Sequence, residues 1–407
     1  MTEKDNRFIK QDWEKRIMTY PGMTREEAED CLKLAVSLVE KGLEKFTHDF
    51  PDCNTENGRY PVSENREWTT GFWTGQIWLA YEYAKDKQDK KAEIFKTAGE
   101  IQVESFLHRI EEKVDVNHHD MGFLYTPSCI AAYKLTGNET ARKAALLAAD
   151  NLMGRFQEKG GFFQAWGELG AKENYRLIID CLLNMPLLFW ASSVTGDESY
   201  QEKARIHIQT AMRHLIRPDH STYHTYFFDP KDGSPVGGVT HQGNRDGSAW
   251  SRGQAWGIYG SAMAYRYVRD KEYIDIFRKV TDFFLENLPR NLIPYWDFDF
   301  KEGSGQSWDS SAAVIGVCGM LEMAKYLEKD EAEKYTAMAG RLLLAAAKEC
   351  GVKSPADSDG LLLHGTYAHA SPNNPCQNRG VDECNTWGDY YYMEALTRLV
   401  KDWELYW

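Results

Sequence analysis

A chain of 407 residues, 43% hydrophobic and 27% charged, has the composition of a globular protein with ample material for a large core. Its 48 basic and 61 acidic side chains leave a net charge of −13, which argues against the basic footprint of a nucleic-acid or anionic-membrane binder. Aromatic residues reach 13%, and their flat faces suit helix packing and sugar rings alike.

The opening stretch MTEKDNRFIKQDWEKR is polar and lacks the apolar core of a secretory signal. No run of about 18 apolar residues is present to span a membrane. The eight cysteines form no CxxC pair and no cluster with histidine. Reduced thiols, a cytoplasmic setting and the absence of a zinc site are therefore expected. From Trp13 to His48 apolar residues recur at helical spacing, broken at Pro21-Gly22, and Thr24-Arg-Glu-Glu27 reads as a capping box. Strand-like alternation is confined to Tyr223–Asp229 and Leu292–Phe300. No Pro/Ser-rich linker interrupts the chain, so residues 1–407 are expected to form a single domain.

An internal repeat organises the rest. An irregular loop leads into an apolar helix, then a short polar turn and an amphipathic helix. Copies begin at Trp68, His119, Ile178, Trp250, Trp308 and Trp387. A helix apolar around most of its circumference must be buried on most sides. Six such pairs therefore predict an all-α fold, an (α/α)6 barrel with the apolar helices inside and the amphipathic ones outside. An open solenoid is the alternative, but Trp403 and Trp407 would be poorly placed on an exposed cap.

In a barrel, the loops before the inner helices gather at one mouth. In chain order they bring Trp68 and Trp73, then His118, His119 and Asp120, then Asn174, Arg176 and Asp180. The later copies add Trp250, Arg252, Gln254 and Trp256, then Trp308 and Asp309, and last Asp382, Glu383, Trp387 and Asp389. Indoles with carboxylates suit a carbohydrate cleft, where aromatic faces stack on the ring and carboxylates handle protons. Asp120 and Asp389 could merely cap helices. Asp180 differs, because the run LIIDCLL (177–183) desolvates it and favours a held proton. Trp166 reads equally as core or stacking platform, and His224–Gly247 as a plain loop or a substrate wall. No HxH, HExxH or tight carboxylate set appears, so no metal or other cofactor is expected.

Four motifs in order, HHDMGFLYTPS, IIDCLLNMPLLFWAS, WSRGQAWGIYG and VDECNTWGDYYYMEAL, resemble the unsaturated glucuronyl hydrolases of glycoside hydrolase family 88 over essentially the whole chain. The resemblance implies an (α/α)6 barrel that removes the 4,5-unsaturated uronic acid left by polysaccharide lyases. It does so by protonating and hydrating the C4–C5 vinyl ether. It implies Asp180 as acid/base and Asp120 as the second essential aspartate. Trp73, Trp166 and Trp256 are the implied aromatic walls, with His119, His224, Gln242 and Arg252 around the uronate and Gly238 and Thr240 on the same loop. Arg252 is the expected clamp for the substrate carboxylate. The related family 105 usually carries RGNGW where this chain has RGQAW. A sugar epimerase using His119 and His224, or a non-catalytic sugar-binding toroid, is the reading from another class. Beside His241, the loop AHASPNNPCQNRG offers only Arg379 as a cation, so unsulfated or lightly sulfated substrates are expected.

Overall fold

The computed structural model describes residues 13–407. Its helices are α1 (Arg25–Phe46), α2 (Thr70–Asp86), α3 (Ala92–Glu111), α4 (Met121–Tyr125), α5 (Ala131–Thr136), α6 (Glu139–Met153) and α7 (Met185–Thr195). They continue with α8 (Ser199–Leu215), α9 (Ser251–Val268), α10 (Glu272–Asn287), α11 (Ser310–Ala324), α12 (Lys329–Glu349) and α13 (Thr386–Val400). The inner ring runs α2, α4–α5, α7, α9, α11, α13, and α13 packs back against α2, which closes it. An open solenoid is thereby excluded.

Burial follows the sequence pattern. Every residue of α11 from Ser310 to Met323 is buried, as an inner helix requires. By contrast α1 buries only Ala28, Leu32, Ala35, Val36, Leu38, Val39, Leu43 and Phe46, largely one stripe. The capping box of Thr24 and Glu27 starts it as predicted. One expectation about the pairing needs correction. No outer helix follows α13; the sixth outer position is filled by α1, from before the first repeat.

Two inner helices are irregular, one in its middle and one at its start. Pro127 lacks an N–H, and Thr126–Ile130 forms a π-helical turn between α4 and α5. The third begins as a 3-10 turn, Ile179–Asn184, before Pro186 in α7. Close approach also demands glycine. A Cβ on Gly122 would lie 2.3 Å from the Asn184 Cα, and one on Gly319 would lie 2.7 Å from the Tyr259 Cα.

Short sheets decorate the mouth. β1 (Arg176–Ile178), β2 (Thr225–Phe228) and β3 (Pro235–Val239) form an antiparallel sheet in that order, with Ile178 opposite Thr225 and Thr225 opposite Val239. β4 (Gly365–Ala368) pairs with β5 (Arg379–Glu383). The strand expected near Tyr223–Asp229 is β2. The one expected at Leu292–Phe300 is absent, and only isolated bridges at Tyr295 and Asp297 remain. Leu292 takes a left-handed φ of 65° and Pro294 has no N–H to give a ladder. No helix among the described residues is long and apolar enough to cross a membrane, and all eight cysteines are unpaired.

Candidate active site

A cavity of about 670 Å³ opens at the mouth, with Asp120 and Asp180 in its wall and the indoles of Trp68, Trp166, Trp250 and Trp256 around it. Asp180 is delivered by the junction of β1 with the 3-10 turn, where the Ile179 N–H donates to the His224 carbonyl at 3.0 Å. Asp120 sits immediately before α4 but makes no capping bond with its side chain. The helix-cap reading therefore does not account for it.

The two carboxyls are in opposite electrostatic states. Burial, reinforced by the Asp120 charge, pushes Asp180 well above the ordinary carboxylate range, against a smaller pull from Arg252. Its Oδ1 is buried without a hydrogen-bond partner. For Asp120, burial acts upward too, but His119, His118 and Asn184 together hold it below its usual value. His118 Nδ1 lies 3.1 Å from Asp120 Oδ2, and the Asn184 amide donates to Oδ1 at 3.4 Å. Asn184 also accepts the Phe123 N–H at 3.0 Å. This pair of bonds fixes Asp120 against α4.

His119 lies just behind the carboxyls, with Nε2 3.3 Å from Asp120 Oδ1 and 3.6 Å from Asp180 Oδ1. Burial depresses its pKa to about 4, so the ring is neutral at physiological pH. One ligand atom from each of His119, Asp120 and Asp180 falls within 4.8 Å of the others. Those are the residues that could hold a divalent cation, in competition with the proton that Asp180 favours.

Of the residues expected at the site, the cavity wall contains Asp120, Asp180, Trp166, Gln242, Arg252 and Trp256. Trp73 is elsewhere. Its indole N–H donates to the Phe46 carbonyl at 2.9 Å and its ring packs edge-on to Phe46, between α2 and α1. The first repeat instead contributes Trp68, which donates to the Tyr367 hydroxyl at 3.0 Å and stacks on Trp387. His224 is buried behind the wall, and burial with His241 lowers its pKa to about 3. Its ring bridges Thr225 at 2.7 Å and the Gln242 side-chain oxygen at 3.2 Å, while the Gln242 amide donates to the Tyr367 carbonyl at 2.8 Å. Gly238 lies against the Tyr223 ring and the Thr240 hydroxyl accepts the Gly243 N–H at 2.8 Å. Neither of these two residues reaches the cavity wall.

Arg252 is at the cavity wall but is already engaged. It is buried and paired with Asp309, donates at 2.6 Å to each of the Thr366 and Tyr367 carbonyls, and lies 4.5 Å from Trp250 and 5.0 Å from Trp387. It lines the cavity with its charge already shared with Asp309 and these two carbonyls. Asp389 is not in the wall. It accepts the Tyr60 hydroxyl and the Leu361 and Leu362 N–H groups, each at 2.9 Å. Asn184 and Tyr367 were missed from sequence. Nothing in the sequence near Asn184 or Tyr367 signals these contacts, because their partners are remote in the chain.

The sequence matches the model of Glycosyl Hydrolase Family 88 over residues 40–303. It is 46% identical over 394 residues to an unsaturated chondroitin disaccharide hydrolase of Streptococcus pneumoniae, covering 96% of both chains. The fold superposes on a crystal structure of unsaturated glucuronyl hydrolase from Streptococcus agalactiae with a TM-score of 0.91, at 46% identity and 97% coverage of each chain. A mutant of the latter in complex with dGlcA-GalNAc6S matches with a TM-score of 0.84, at 42% identity and 97% coverage of each chain.

Proposed function

Because the chain belongs to glycosyl hydrolase family 88, we propose that it removes the 4,5-unsaturated uronic acid from the non-reducing end of lyase-generated glycosaminoglycan oligosaccharides, with Asp180 as the acid. The observation that carries the reading is a buried carboxyl, held toward its protonated form by a second carboxylate, in the wall of a sugar-sized cavity. A group of that kind can deliver a proton near neutral pH.

Asp180 gives its proton to C4 of the vinyl ether, and positive charge develops at C5, where the ring oxygen shares it. Asp180 is then a carboxylate and takes a proton from the water that adds at C5. The product is a hemiketal. It opens to a C5 ketone, and the hemiacetal left at C1 collapses and releases the remaining sugar. Neither C1 nor the glycosidic oxygen is attacked, so the two carboxyls need not flank that bond as in ordinary glycosidases. Asp120 stays ionised, keeps Asp180 protonated and is placed to accept substrate hydroxyls. Trp68, Trp166 and Trp256 supply apolar faces to the ring, and Gln242, fixed by His224 and Tyr367, presents its amide to the uronate.

The relatives' names and complex support unsaturated chondroitin-type disaccharides as the substrate class. The cavity's cations are Arg252, already paired with Asp309, and Arg379, within 3.4 Å of Asp52 and 3.8 Å of Glu67. A sulfate needs an uncommitted cation to offset its desolvation, which supports unsulfated or lightly sulfated substrates. The whole chain acts as one catalytic domain, and its eight unpaired thiols support a cytoplasmic location, which cell fractionation tests.

The mechanism is tested in heavy water with an unsulfated unsaturated chondroitin disaccharide. Loss of the ultraviolet band of the unsaturated uronate should accompany one deuterium at C4 of the product, and saturated glucuronides should survive. Cleavage of the saturated sugar at a comparable rate, without label at C4, would overturn the hydration reading.

A further inference from the structure

The bore below the cavity is filled by a segment that the repeat pattern does not account for. After α13 the chain turns back into the barrel, and Leu405, Tyr406 and Trp407 are buried. Lys134 of α5 donates to the Leu405 carbonyl at 2.7 Å and the Tyr406 carbonyl at 3.2 Å. The Trp407 indole N–H donates to Glu394 Oε2 at 2.8 Å. Its ring lies parallel to Tyr391 at 6.0 Å and edge-on to Phe123 at 6.2 Å.

Those two rings are the layer directly beneath the cavity. Phe123 is 5.2 Å from Trp256 and 5.6 Å from Trp68, and Tyr391 is 5.5 Å from Trp256. Phe123 also gives its N–H to Asn184, whose amide holds Asp120. One ring thus touches Trp407 below and two cavity indoles above, while its backbone is tied to a carboxyl of the acid pair. Trp403 of the same segment is buried as well, but it sits at the lower rim. Its N–H donates to Glu82 at 2.9 Å, and its ring meets Tyr406 and the Arg398 guanidinium.

We propose that Trp407 is a positioning residue for the active site: it props the Phe123–Tyr391 layer and through it sets the placement of Trp68, Trp256 and Asp120, whereas Trp403 only anchors the segment. A close-packed aromatic layer transmits the loss of one ring, because the space left behind is filled only by shifting the rings packed against it. The proposal rests on Asp180 being the acid, assisted by Asp120.

Two indoles of one segment, both buried, provide the test. Trp407→Ala should lower kcat about tenfold or more, since misplacement by about 1 Å can cost roughly 100-fold, with a smaller change in KM. Its alkaline limb should move to lower pH, because a loosened floor rehydrates Asp180. Trp407→Phe should restore most of kcat. Trp403→Ala should lower Tm but leave kcat and the pH limb unchanged within about twofold. Should Trp407→Ala prove insoluble, Trp407→Leu keeps apolar bulk without the ring and is measured in its place. Equal kinetic effects of Trp407 and Trp403 variants, or a Trp407 variant that melts earlier with normal kcat and pH limb, would overturn the proposal. Asp180→Asn measured alongside separates the two failures, because substantial activity there removes the acid assignment itself.

Discussion

Buried carboxylates occur at both ends of the bore, and their surroundings differ in kind. At the lower end, Glu322 lies against Arg398 at 2.9 Å, Arg266 at 3.0 Å and Lys325 at 3.3 Å. Burial alone would raise its pKa, but Arg398, Lys325 and the Tyr326 hydroxyl outweigh that and hold it at about 2. Glu394 beside it accepts from Arg398, Tyr259 and Trp407. At the mouth, Asp180 has an unpartnered oxygen, a like charge next to it, and for relief a guanidinium already bound to Asp309 and a backbone N–H. The paired end supports the fold. The unpaired end costs stability and retains a proton, which a fully satisfied network would not do.

The largest expected effect tests the unpaired end. Asp180→Asn should lower kcat about 10²–10⁴-fold, because an amide donates no proton to C4. The same change should stabilise the fold at alkaline pH. A pKa raised in the folded state means that stability falls as pH rises from the unfolded carboxylate value through the folded one. The asparagine variant lacks that loss, so its Tm advantage over wild type should grow with pH. A constant Tm difference from pH 5 to 9 would show that Asp180 is not strained by its charge.

The lower end should respond in the opposite sense. Arg398→Ala leaves Glu322 and Glu394 buried with fewer partners and should cost about 3–5 kcal/mol of stability, read by denaturant unfolding. The alkaline limb of kcat/KM should stay in place. Movement of that limb by Arg398→Ala as large as by a change at the mouth would erase the distinction between the two ends.

The smallest effect sharpens the mouth itself. Asp120→Asn removes the charge that, after burial, does most to raise Asp180. The alkaline limb of kcat/KM should therefore shift to lower pH, with a loss of about tenfold or more in rate from a disturbed acid. An unchanged limb would mean that burial alone sets the Asp180 proton affinity.

How much of the site was legible depended on whether one residue's immediate neighbours carried the information. Asp180 was readable because its own heptapeptide is apolar, and desolvation follows from that. Trp68 and Trp73 open the same repeat and look alike in sequence. Which indole faces the cavity depends on the phase of α2 against α1 and on the Phe46 carbonyl that claims the Trp73 N–H. Arg252 looked like a free cation because Asp309, 57 positions away, and the carbonyls of β4 are remote in the chain. Gly238 and Thr240 are close to the site in sequence, but β3 turns them toward Tyr223 and the 240–246 turn.

The sequence by itself determined the six-fold alternation of apolar and amphipathic helices, the mouth at which the inner helices begin, and the apolar setting of Asp180. These are matters of period and of near neighbours, and burial energy enforces them locally. Only the tertiary structure decided that α1 supplies the sixth outer helix, that Trp68 rather than Trp73 lines the cavity and that Asn184 holds Asp120. It likewise decided that Asp309 claims Arg252 and that Trp407 fills the bore. Each of those is a contact between residues far apart in the chain, and its partner is fixed only when the ring closes and every buried donor and ring must find a neighbour.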